Sequence, residues 1–427
     1  MIIGIDASRA NRDRKSGTEY YSYYLIRNLA NIDSENQYIL YTDKPLKGGL
    51  LDLTKSDSEN FSITQEAECD NNGYQKIKSP HNNFKAKVLR WPFRFFWTLG
   101  GLSLEMLFHK PDVLFVPAHT LPLILPKKTI NTIHDVAFER DKKVYVNDYI
   151  FSHGKKRKKI INFFAKIYTF GKYGSGRLDY LSWSTRIALK RATKIITISN
   201  FSKDEIVDIY KTDPKKIKVI HNGFNDLLYK KIENKEKIKS VLNKYEINQP
   251  YFLYIGRLEK KKNTPALVEA FAIAKERHKD LKEKLVLLGY GSFGYDEVKY
   301  LIEEYNLVND VIMPGWVDEE DVPFLYNGAS AFIFPTKHEG FGIPVIQAMG
   351  CGTPIACSDI PVLREVVQDV ALFFNPKNVC DIAIAMAEII INNDLRKSLV
   401  EKGNERAKNF NWRKCAQETL EVINSLK

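Results

Sequence analysis

Short apolar runs alternate with amphipathic segments along the first half of the chain, which is the pattern of an α/β protein. Residues 2–5 read IIGI and predict a buried strand, and residues 20–29 have the apolar spacing of a helix. The polar loop between them contains Ser16, Gly17 and Thr18. Strand, glycine-containing loop and helix are expected to form the first α/β unit.

The same alternation continues to the end of the first half and then starts again. Further strands are predicted at 38–41, 111–117, 129–135, 194–198 and 218–220. Residues 91–108 predict an aromatic-rich helix, whereas 43–83 show no clear element. A second series begins at residue 251, and its strands are predicted at 251–256, 284–289, 311–314, 331–334, 353–358 and 371–374.

Two such series in one chain favour two parallel, doubly wound sheets with a ligand cleft between them. We place the first domain at 1–225 and a lysine-rich linker with a surface helix at 226–249. The second domain, expected to bind the ligand, occupies 250–405. The final segment, 406–427, is a helix that we expect to pack back on the first domain.

Basic and imidazole side chains follow predicted strands at the carboxyl end, where ligands bind in open parallel sheets. His134 lies at the end of strand 129–135, and Arg257 follows the first strand of the second series with Lys262 in the same loop. Arg grips phosphate oxygens with a planar fork, and Lys supplies a compact charge. Because Lys is commonly exposed and His is often partly buried, each residue also has a purely structural interpretation.

The stretch HEGFGIPVIQAMG at 338–350 is the most informative motif of the chain. It follows an apolar strand and leads into a helix, with Pro344 in the first helical turn. Gly340 and Gly342 let backbone amides approach a ligand closely. A helix N-terminus of this kind binds anions, and an ordinary strand-to-helix turn with one exposed acid is the alternative.

Composition places the chain among ordinary globular proteins, with 427 residues, of which 44% are hydrophobic and 27% charged. The sequence opens directly on a strand without a signal-peptide pattern, and no uncharged apolar run nears the roughly 20 residues of a membrane span. We therefore expect a cytoplasmic protein. The five cysteines show neither paired spacing nor metal-site partners, which predicts reduced thiols.

One segment carries the net charge of +12, since the stretch from Arg140 to Lys194 holds fifteen Lys or Arg and three Asp. Within it, residues 141–176 read as an insertion, with five basic residues at 155–159 before an apolar stripe. That pattern is typical of a helix on an anionic membrane, so peripheral attachment to the inner face of the cytoplasmic membrane is one of two interpretations. A solvated loop and a helix packed on the first domain is the alternative. Nucleic-acid binding is not favoured, because no recognition motif accompanies the charge.

Taken together, the motifs resemble the retaining glycosyltransferases of family 4, over nearly the whole chain outside 141–176. The resemblance rests on Gly17-Thr18, His134-Asp135, 199–202, Asn222-Gly223, Gly256-Arg257, Lys262-Asn263, 339–344, 348–350 and 352–354. The start DASR and the segment IHDVAFER are most similar to bacterial mannosyltransferases that build O-antigen or other surface polysaccharides. The fold that this resemblance implies is α/β of the GT-B type, with two doubly wound Rossmann-like domains facing across a cleft. The domain at 1–225 would lie on the acceptor side, and the domain at 250–405 would bind the nucleotide sugar.

The activity that the resemblance implies is transfer of a hexose, with mannose favoured, from a GDP- or UDP-sugar with retention at the anomeric carbon. The acceptor would be a saccharide or a polyprenyl-diphosphate-linked saccharide. Arg257 and Lys262 would neutralise the leaving diphosphate, because fixed positive charge stabilises the charge that develops there. Glu339 would hydrogen-bond the hydroxyls of the transferred sugar, and His134 would contact that sugar near the reacting centre.

Backbone groups would complete the donor site that the resemblance implies. The amides of Phe341, Gly342 and Ile343 would hold the phosphates or the transferred sugar. Gly17 and Thr18 would let the first loop close over the donor.

Two departures refine this expectation. No Asp-x-Asp occurs in the chain, so the usual metal-chelating ligands are missing and we predict transfer without a metal or other cofactor. The family pattern has a second glutamate eight residues after the first, and Gln347 stands there instead. A glutamine carbonyl can accept a hydrogen bond from the nucleotide ribose, but without the charge that makes such bonds about twice as strong. We predict weaker donor affinity with activity kept.

Other functions suit a doubly wound fold. An NAD-dependent oxidoreductase would need G-x-G-x-x-G after the first strand, where the loop offers only Gly17. A sugar-nucleotide epimerase of the same fold stays open, as does a noncatalytic nucleotide-sugar binder that the change at Gln347 would permit. The sequence does not name the base, the sugar or the acceptor.

Overall fold

The computed structural model describes residues 1–13, 15–55, 69–92, 96–140, 177–248 and 250–427. The predicted basic insertion at 141–176, with its membrane interpretation, lies outside the described residues. The chain divides into two compact units. The first contains Met1–Gly223 together with Trp412–Lys427, and the second contains Phe224–Asn411.

The first unit is built on an eight-stranded sheet in the order β3-β4-β2-β1-β5-β6-β7-β8. Its strands are β1 Ile2–Asp6, β2 Gln37–Thr42, β3 Tyr74–Lys76, β4 Phe84–Val88, β5 Val113–Val116, β6 Lys128–Ile133, β7 Lys194–Thr197 and β8 Ile217–Val219. All neighbours are parallel except β3 and β4. All four residues of β5 are fully buried, because helices cover both faces of a parallel sheet.

The helices of this part begin with a long first helix that follows β1. They are α1 Gly17–Ile32, α2 Gly101–Phe108, α3 Ala137–Arg140, α4 Arg177–Arg191 and α5 Asn200–Tyr210, with short 3₁₀ turns at Gly48–Leu50 and Pro214–Lys216. The helix predicted at 91–108 is confined to α2 in the described residues. Trp97 is buried instead as a core side chain, and its Nε1 donates to the carbonyl of Leu89 at 3.1 Å.

The second unit is built on a six-stranded parallel sheet in the order β11-β10-β9-β12-β13-β14. Its strands are β9 Tyr251–Ile255, β10 Lys284–Leu288, β11 Val311–Gly315, β12 Ala331–Phe334, β13 Ile355–Ser358 and β14 Leu372–Phe374. Its helices are α6 Lys235–Lys244, α7 Thr264–Arg277, α8 Tyr295–Glu304, α9 Val322–Gly328, α10 Ile343–Cys351, α11 Pro361–Val367, α12 Val379–Ile391 and α13 Asn393–Ala407, with a 3₁₀ turn at Lys260–Lys262. Two parallel, Rossmann-like sheets confirm the predicted α/β class.

The segment predicted as a linker, 226–249, lies within the second unit rather than between units. Its helix α6 packs against α9 and buries Ile238 and Leu242. These two apolar residues are four positions apart, so they share one helix face, and the lysines that suggested a linker occupy the other face. The lysine content of this helix therefore reflects its exposed side only.

The last helix, α14 Trp412–Asn424, belongs to the first unit and packs against α1. Trp412 is 5% exposed and stacks on Tyr24, with ring centroids 5.4 Å apart. Tyr21 meets the same indole edge to face at 6.1 Å. Aromatic packing therefore joins two segments of the first unit that are far apart in sequence.

The five cysteines are free thiols, and Cys351, Cys357 and Cys415 are buried. Across the described ranges, no helix is both long enough and apolar enough to cross a membrane.

Candidate functional site

Two loops of the second unit meet at the carboxyl edge of its sheet, because β9 and β12 are parallel neighbours. The loop after β9 carries Arg257 and Lys262, and the loop after β12 carries Glu339. A backbone hydrogen bond from Lys337 N–H to Lys261 O, at 3.4 Å, links the two loops. Residues nearly eighty positions apart in sequence are therefore neighbours at this edge.

Lys262 and Glu339 form a direct ion pair, with Lys262 Nζ 2.5 Å from Glu339 Oε1. The two side chains are only 18% and 12% exposed. A charge-assisted contact in a partly buried place is stronger than the same contact at the surface. Lys262, predicted to bind phosphate, and Glu339, predicted to bind the sugar, therefore neutralise each other's charge in this structure.

Arg257 belongs to the same loop as Lys262 and remains 56% exposed, with Glu259 Oε2 3.7 Å from its Nη1. The backbone of Gly256, which precedes Arg257, packs directly against Gly289. A Cβ on Gly289 would lie 1.9 Å from the carbonyl oxygen of Gly256, so no side chain fits at position 289. The carbonyl of Arg257 accepts a hydrogen bond from the hydroxyl of buried Tyr254 at 2.9 Å. The backbone of Arg257 is therefore held while its guanidinium is free to reach an anion.

Helix α10 begins in the loop that carries Glu339. Its N-cap, Gly342, has φ of 99°, a backbone conformation that residues with a side chain rarely adopt. Phe341 is 2% exposed and packs edge to face on Phe410, which anchors the loop from below. The first amides of a helix have no partner within the helix, and they carry partial positive charge. This start of α10 can therefore bind an anion next to Lys262.

Gln347 lies in the second turn of α10, half-buried, with its Oε1 3.4 Å from the hydroxyl of Tyr326. That hydroxyl also lies 3.0 Å from the carbonyl oxygen of Pro344, to which it donates. A phenol has one proton, so this hydroxyl donates to only one of the two oxygens at a time. When it donates to the closer Pro344 oxygen, the Gln347 carbonyl oxygen can accept a hydrogen bond from a ligand hydroxyl.

His134 follows β6 at the carboxyl edge of the first unit's sheet and is 6% exposed. Its Nε2 lies 3.2 Å from the carbonyl oxygen of Pro117, and its backbone N–H donates to His119 Nε2 at 3.1 Å. Tyr21 packs edge to face on the ring, with centroids 4.9 Å apart. A carbonyl only accepts, so Nε2 of His134 carries the proton and Nδ1 is left as an acceptor.

Electrostatics keep His134 neutral. Burial lowers the pKa of His134, because charging an imidazole away from water is unfavourable; the Pro117 carbonyl and Asp135 oppose that shift. Asp135 accepts a hydrogen bond from the backbone N–H of Ala137 at 3.1 Å, so its carboxylate also starts the short helix α3. The result at neutral pH is an uncharged imidazole that can accept a hydrogen bond from a hydroxyl.

Gly17 and Thr18 are the first residues of α1 rather than loop residues, since the helix begins three positions before the predicted start. Ser16 is the N-cap, and its backbone N–H donates to the carboxylate of Glu19 at 3.2 Å. Arg9 forms an ion pair with that same carboxylate at 3.3 Å. Ser16 and Glu19, three residues apart, form a capping box, and this sequence pattern indicates that α1 begins at residue 17.

The predicted site residues fall into two groups, one in each unit. Arg257, Lys262, Glu339 and the amides 341–343 share one edge of the second unit, with Gln347 one helical turn further on. His134, Gly17 and Thr18 belong to the first unit. His119 is a neighbour of His134 that we did not single out, although it also follows a buried strand, β5, at its carboxyl end.

Within the described ranges, no group of three or more His, Cys, Asp or Glu side chains is placed to hold a metal ion. The charged groups at the edge of the second unit are instead mostly cationic, with Glu339 and Glu259 each placed beside a cation.

A sequence model described as Glycosyltransferase Family 4 matches residues 16–226, and one described as Glycosyl transferases group 1 matches residues 234–406. The O-antigen chain mannosyltransferase B of Escherichia coli is 30% identical over 251 residues, which are 58% of this chain and 65% of that protein. The match therefore spans slightly less than two thirds of that relative's length.

A second relative and a solved structure extend the comparison. The O-antigen chain mannosyltransferase RfbU of Salmonella typhimurium is 28% identical over 310 residues, which cover 71% of this chain and 73% of that protein. HepE of Anabaena, solved in complex with UDP and glucose, superimposes with a TM-score of 0.65 over 99% of both chains at 15% identity. At 15% identity, this superposition shows that the two proteins share a fold and nothing more. The two family matches and the shared fold confirm the sequence-based resemblance: the chain belongs to the family 4 glycosyltransferases, with the GT-B fold.

Proposed function

We propose that this protein transfers a hexose, with mannose favoured, from a GDP- or UDP-sugar to a saccharide or polyprenyl-diphosphate-linked acceptor, with retention and without a metal. The observation that carries the proposal is the Lys262–Glu339 pair beside the start of α10 and the exposed guanidinium of Arg257. A nucleotide sugar combines a diphosphate with sugar hydroxyls. This edge combines cations and helix amides with a carboxylate that accepts from hydroxyls.

The identity of the sugar is supported by the names of the relatives. Both curated relatives described above are O-antigen chain mannosyltransferases, and HepE was solved with UDP and glucose. These names favour a hexose donor and leave both uridine and guanosine nucleotides to be tested.

In the proposed reaction, the bond between the anomeric carbon and the diphosphate oxygen breaks while the acceptor hydroxyl oxygen attacks the same face. The acceptor proton passes to the departing phosphate oxygen. Arg257, Lys262 and the first amides of α10 stabilise the negative charge that grows on that oxygen. Glu339 orients the sugar through its hydroxyls, and neutral His134 accepts from a hydroxyl near the reacting carbon. Gly17 and Thr18 remain proposed to lie over the donor.

Transfer is tested directly by incubating the protein with radiolabelled GDP- and UDP-sugars and a polyprenyl-diphosphate-linked saccharide, with and without EDTA. We expect one donor to be consumed, an α-linked product from an α-linked donor, and the same rate in both conditions. Epimerised donor in the absence of acceptor would instead identify an epimerase, and tight donor binding without turnover would identify a binder. A rate abolished by EDTA and restored by Mg²⁺ would contradict the metal-independent mechanism.

Gln347→Glu tests the departure from the family pattern. A carboxylate at this position accepts a stronger hydrogen bond from the ribose than the amide does, so we expect the donor KM to fall by about 3- to 10-fold. The kcat should stay within about twofold, because the ribose contact is made equally in the ground state and the transition state. Gln347→Ala is the matched control and should raise the donor KM. An inactive natural protein that Gln347→Glu restores would contradict this interpretation.

A further inference from the structure

His119 is a half-buried imidazole that the proposed reaction does not use. It follows β5 at the sheet edge that also carries His134, because β5 and β6 are neighbouring parallel strands. Asn131 on β6 holds the intervening loop, since its Nδ2 donates to the carbonyl oxygen of Ala118 at 2.5 Å. The position of His119 is therefore fixed by the sheet.

The contacts of His119 determine where its proton lies. Its Nε2 accepts the backbone N–H of His134 at 3.1 Å, so Nε2 is unprotonated in the neutral ring. Burial and the neighbouring His134 lower the pKa of His119 to about 4, so the ring is neutral at physiological pH. The single proton is consequently on Nδ1, which makes this nitrogen a donor.

This donor has no acceptor within hydrogen-bonding distance in the part of the chain that the structure describes, and it is buried. A buried N–H without a partner is unfavourable, because its lost hydration is not replaced. A bound ligand with an oxygen atom can supply the missing acceptor. The position next to His134 indicates which kind of ligand that is.

The two imidazole rings are nearly parallel, with centroids 5.9 Å apart and an interplanar angle of 10°. His134 offers an acceptor at Nδ1, since its Nε2 is engaged by Pro117. His119 offers a donor at its own Nδ1. A saccharide carries hydroxyl groups that both donate and accept, so it can satisfy the two rings together, whereas a phosphate could satisfy only the donor.

We infer that His119 is a further saccharide-binding residue, whose Nδ1–H donates to an oxygen of the transferred sugar or of the acceptor saccharide beside His134. This inference rests on the proposed function, because it assumes that the edge of the first unit binds saccharide. It adds a second imidazole to the predicted site and gives the two rings complementary roles.

Two isosteric variants separate binding from positioning. His119→Gln places an amide oxygen near the Nε2 position and keeps an acceptor for the His134 N–H, but it removes the donor at Nδ1. His119→Asn places an NH₂ group near the Nδ1 position and keeps that donor. We expect His119→Gln to raise the KM for one saccharide substrate about tenfold or more, and His119→Asn to stay within about threefold of the natural protein.

The substrate whose KM changes identifies the source of the oxygen. A raised donor KM assigns the contact to the transferred sugar, and a raised acceptor KM assigns it to the acceptor; either result supports the inference. The opposite ranking, with His119→Asn impaired and His119→Gln intact, would show that His119 only positions His134. KM values equal to those of the natural protein in both variants would also overturn the inference.

Failure of the proposed function is distinguished by measuring binding without turnover. If the natural protein transfers no sugar, saturation-transfer NMR with methyl α-mannoside still tests the residue. A signal that is present in the natural protein and in His119→Asn but lost in His119→Gln would support the inference. Equal signals in all three proteins, or none in the natural protein, would overturn it.

Discussion

Replacing Lys262 with methionine should lower kcat/KM for the donor by about 100- to 1,000-fold, the loss typical of removing one group that stabilises transition-state charge. Methionine keeps the length and the apolar stem of the side chain and removes only the ammonium. The loss should be larger in kcat than in donor KM, because charge on the leaving phosphate grows during the reaction. Steady-state kinetics with saturating acceptor measures both quantities.

Lys260→Met is the matched control, since Lys260 lies in the same 3₁₀ turn and pairs with Glu297 instead of Glu339. Its side chain is 47% exposed, and we expect its removal to change kcat/KM by less than about threefold. A Lys262→Met protein as active as this control would remove Lys262 from the proposed mechanism. Glu339→Gln would then show whether the carboxylate acts without its partner.

Replacing Trp412 with alanine should lower the free energy of unfolding of the first unit by about 3–5 kcal/mol, the usual cost of deleting a large buried aromatic side chain. The indole is 5% exposed and contacts both Tyr21 and Tyr24 of α1. Its loss leaves a cavity between α1 and α14 and removes aromatic contacts that alanine cannot replace. Hydrogen exchange resolves the effect, because protection should fall in β1 and α1 and remain in β9 and β12.

Trp316→Ala provides a comparison at a tryptophan that is 48% exposed in the second unit. We expect that change to alter unfolding by no more than about 1 kcal/mol, because little buried area is lost. Unchanged protection of β1 and α1 in Trp412→Ala would contradict the role assigned to the aromatic contact.

Periodicity predicted the sheets well where a strand is buried on both faces. The runs at 113–116 and 331–334 are uninterrupted apolar segments, and each forms a central strand. The edge strand β3 of the first sheet and its neighbour β4 were missed; β4 reads FKAKV, and two of its five residues are lysines. One of them, Lys87, is buried in a contact with Glu105 at 2.7 Å. A lysine buried by a distant carboxylate cannot be recognised from local sequence.

The site was predictable to the extent that parallel strands place their carboxyl ends at one edge. This rule put Arg257, Lys262 and Glu339 in neighbouring loops, and the resemblance to a known family gave each of them an expected role. The ion pair between Lys262 and Glu339 was not predictable, because it depends on which of three consecutive lysines points inward. His119 was missed because its significance comes from a hydrogen bond to His134 and from a buried donor, neither of which has a sequence pattern.

The first unit is completed by residues 412–427, which are synthesised only after the whole of the second unit. Domains usually fold in the order in which they leave the ribosome. In this chain, the strands of both sheets are synthesised before α14, but the aromatic face of α1 is covered only once α14 has emerged. We therefore expect the first unit to reach its full stability only after the second unit has been synthesised. During translation, the sides of Tyr21 and Tyr24 that contact Trp412 in the folded protein would remain uncovered until residue 412 has been added.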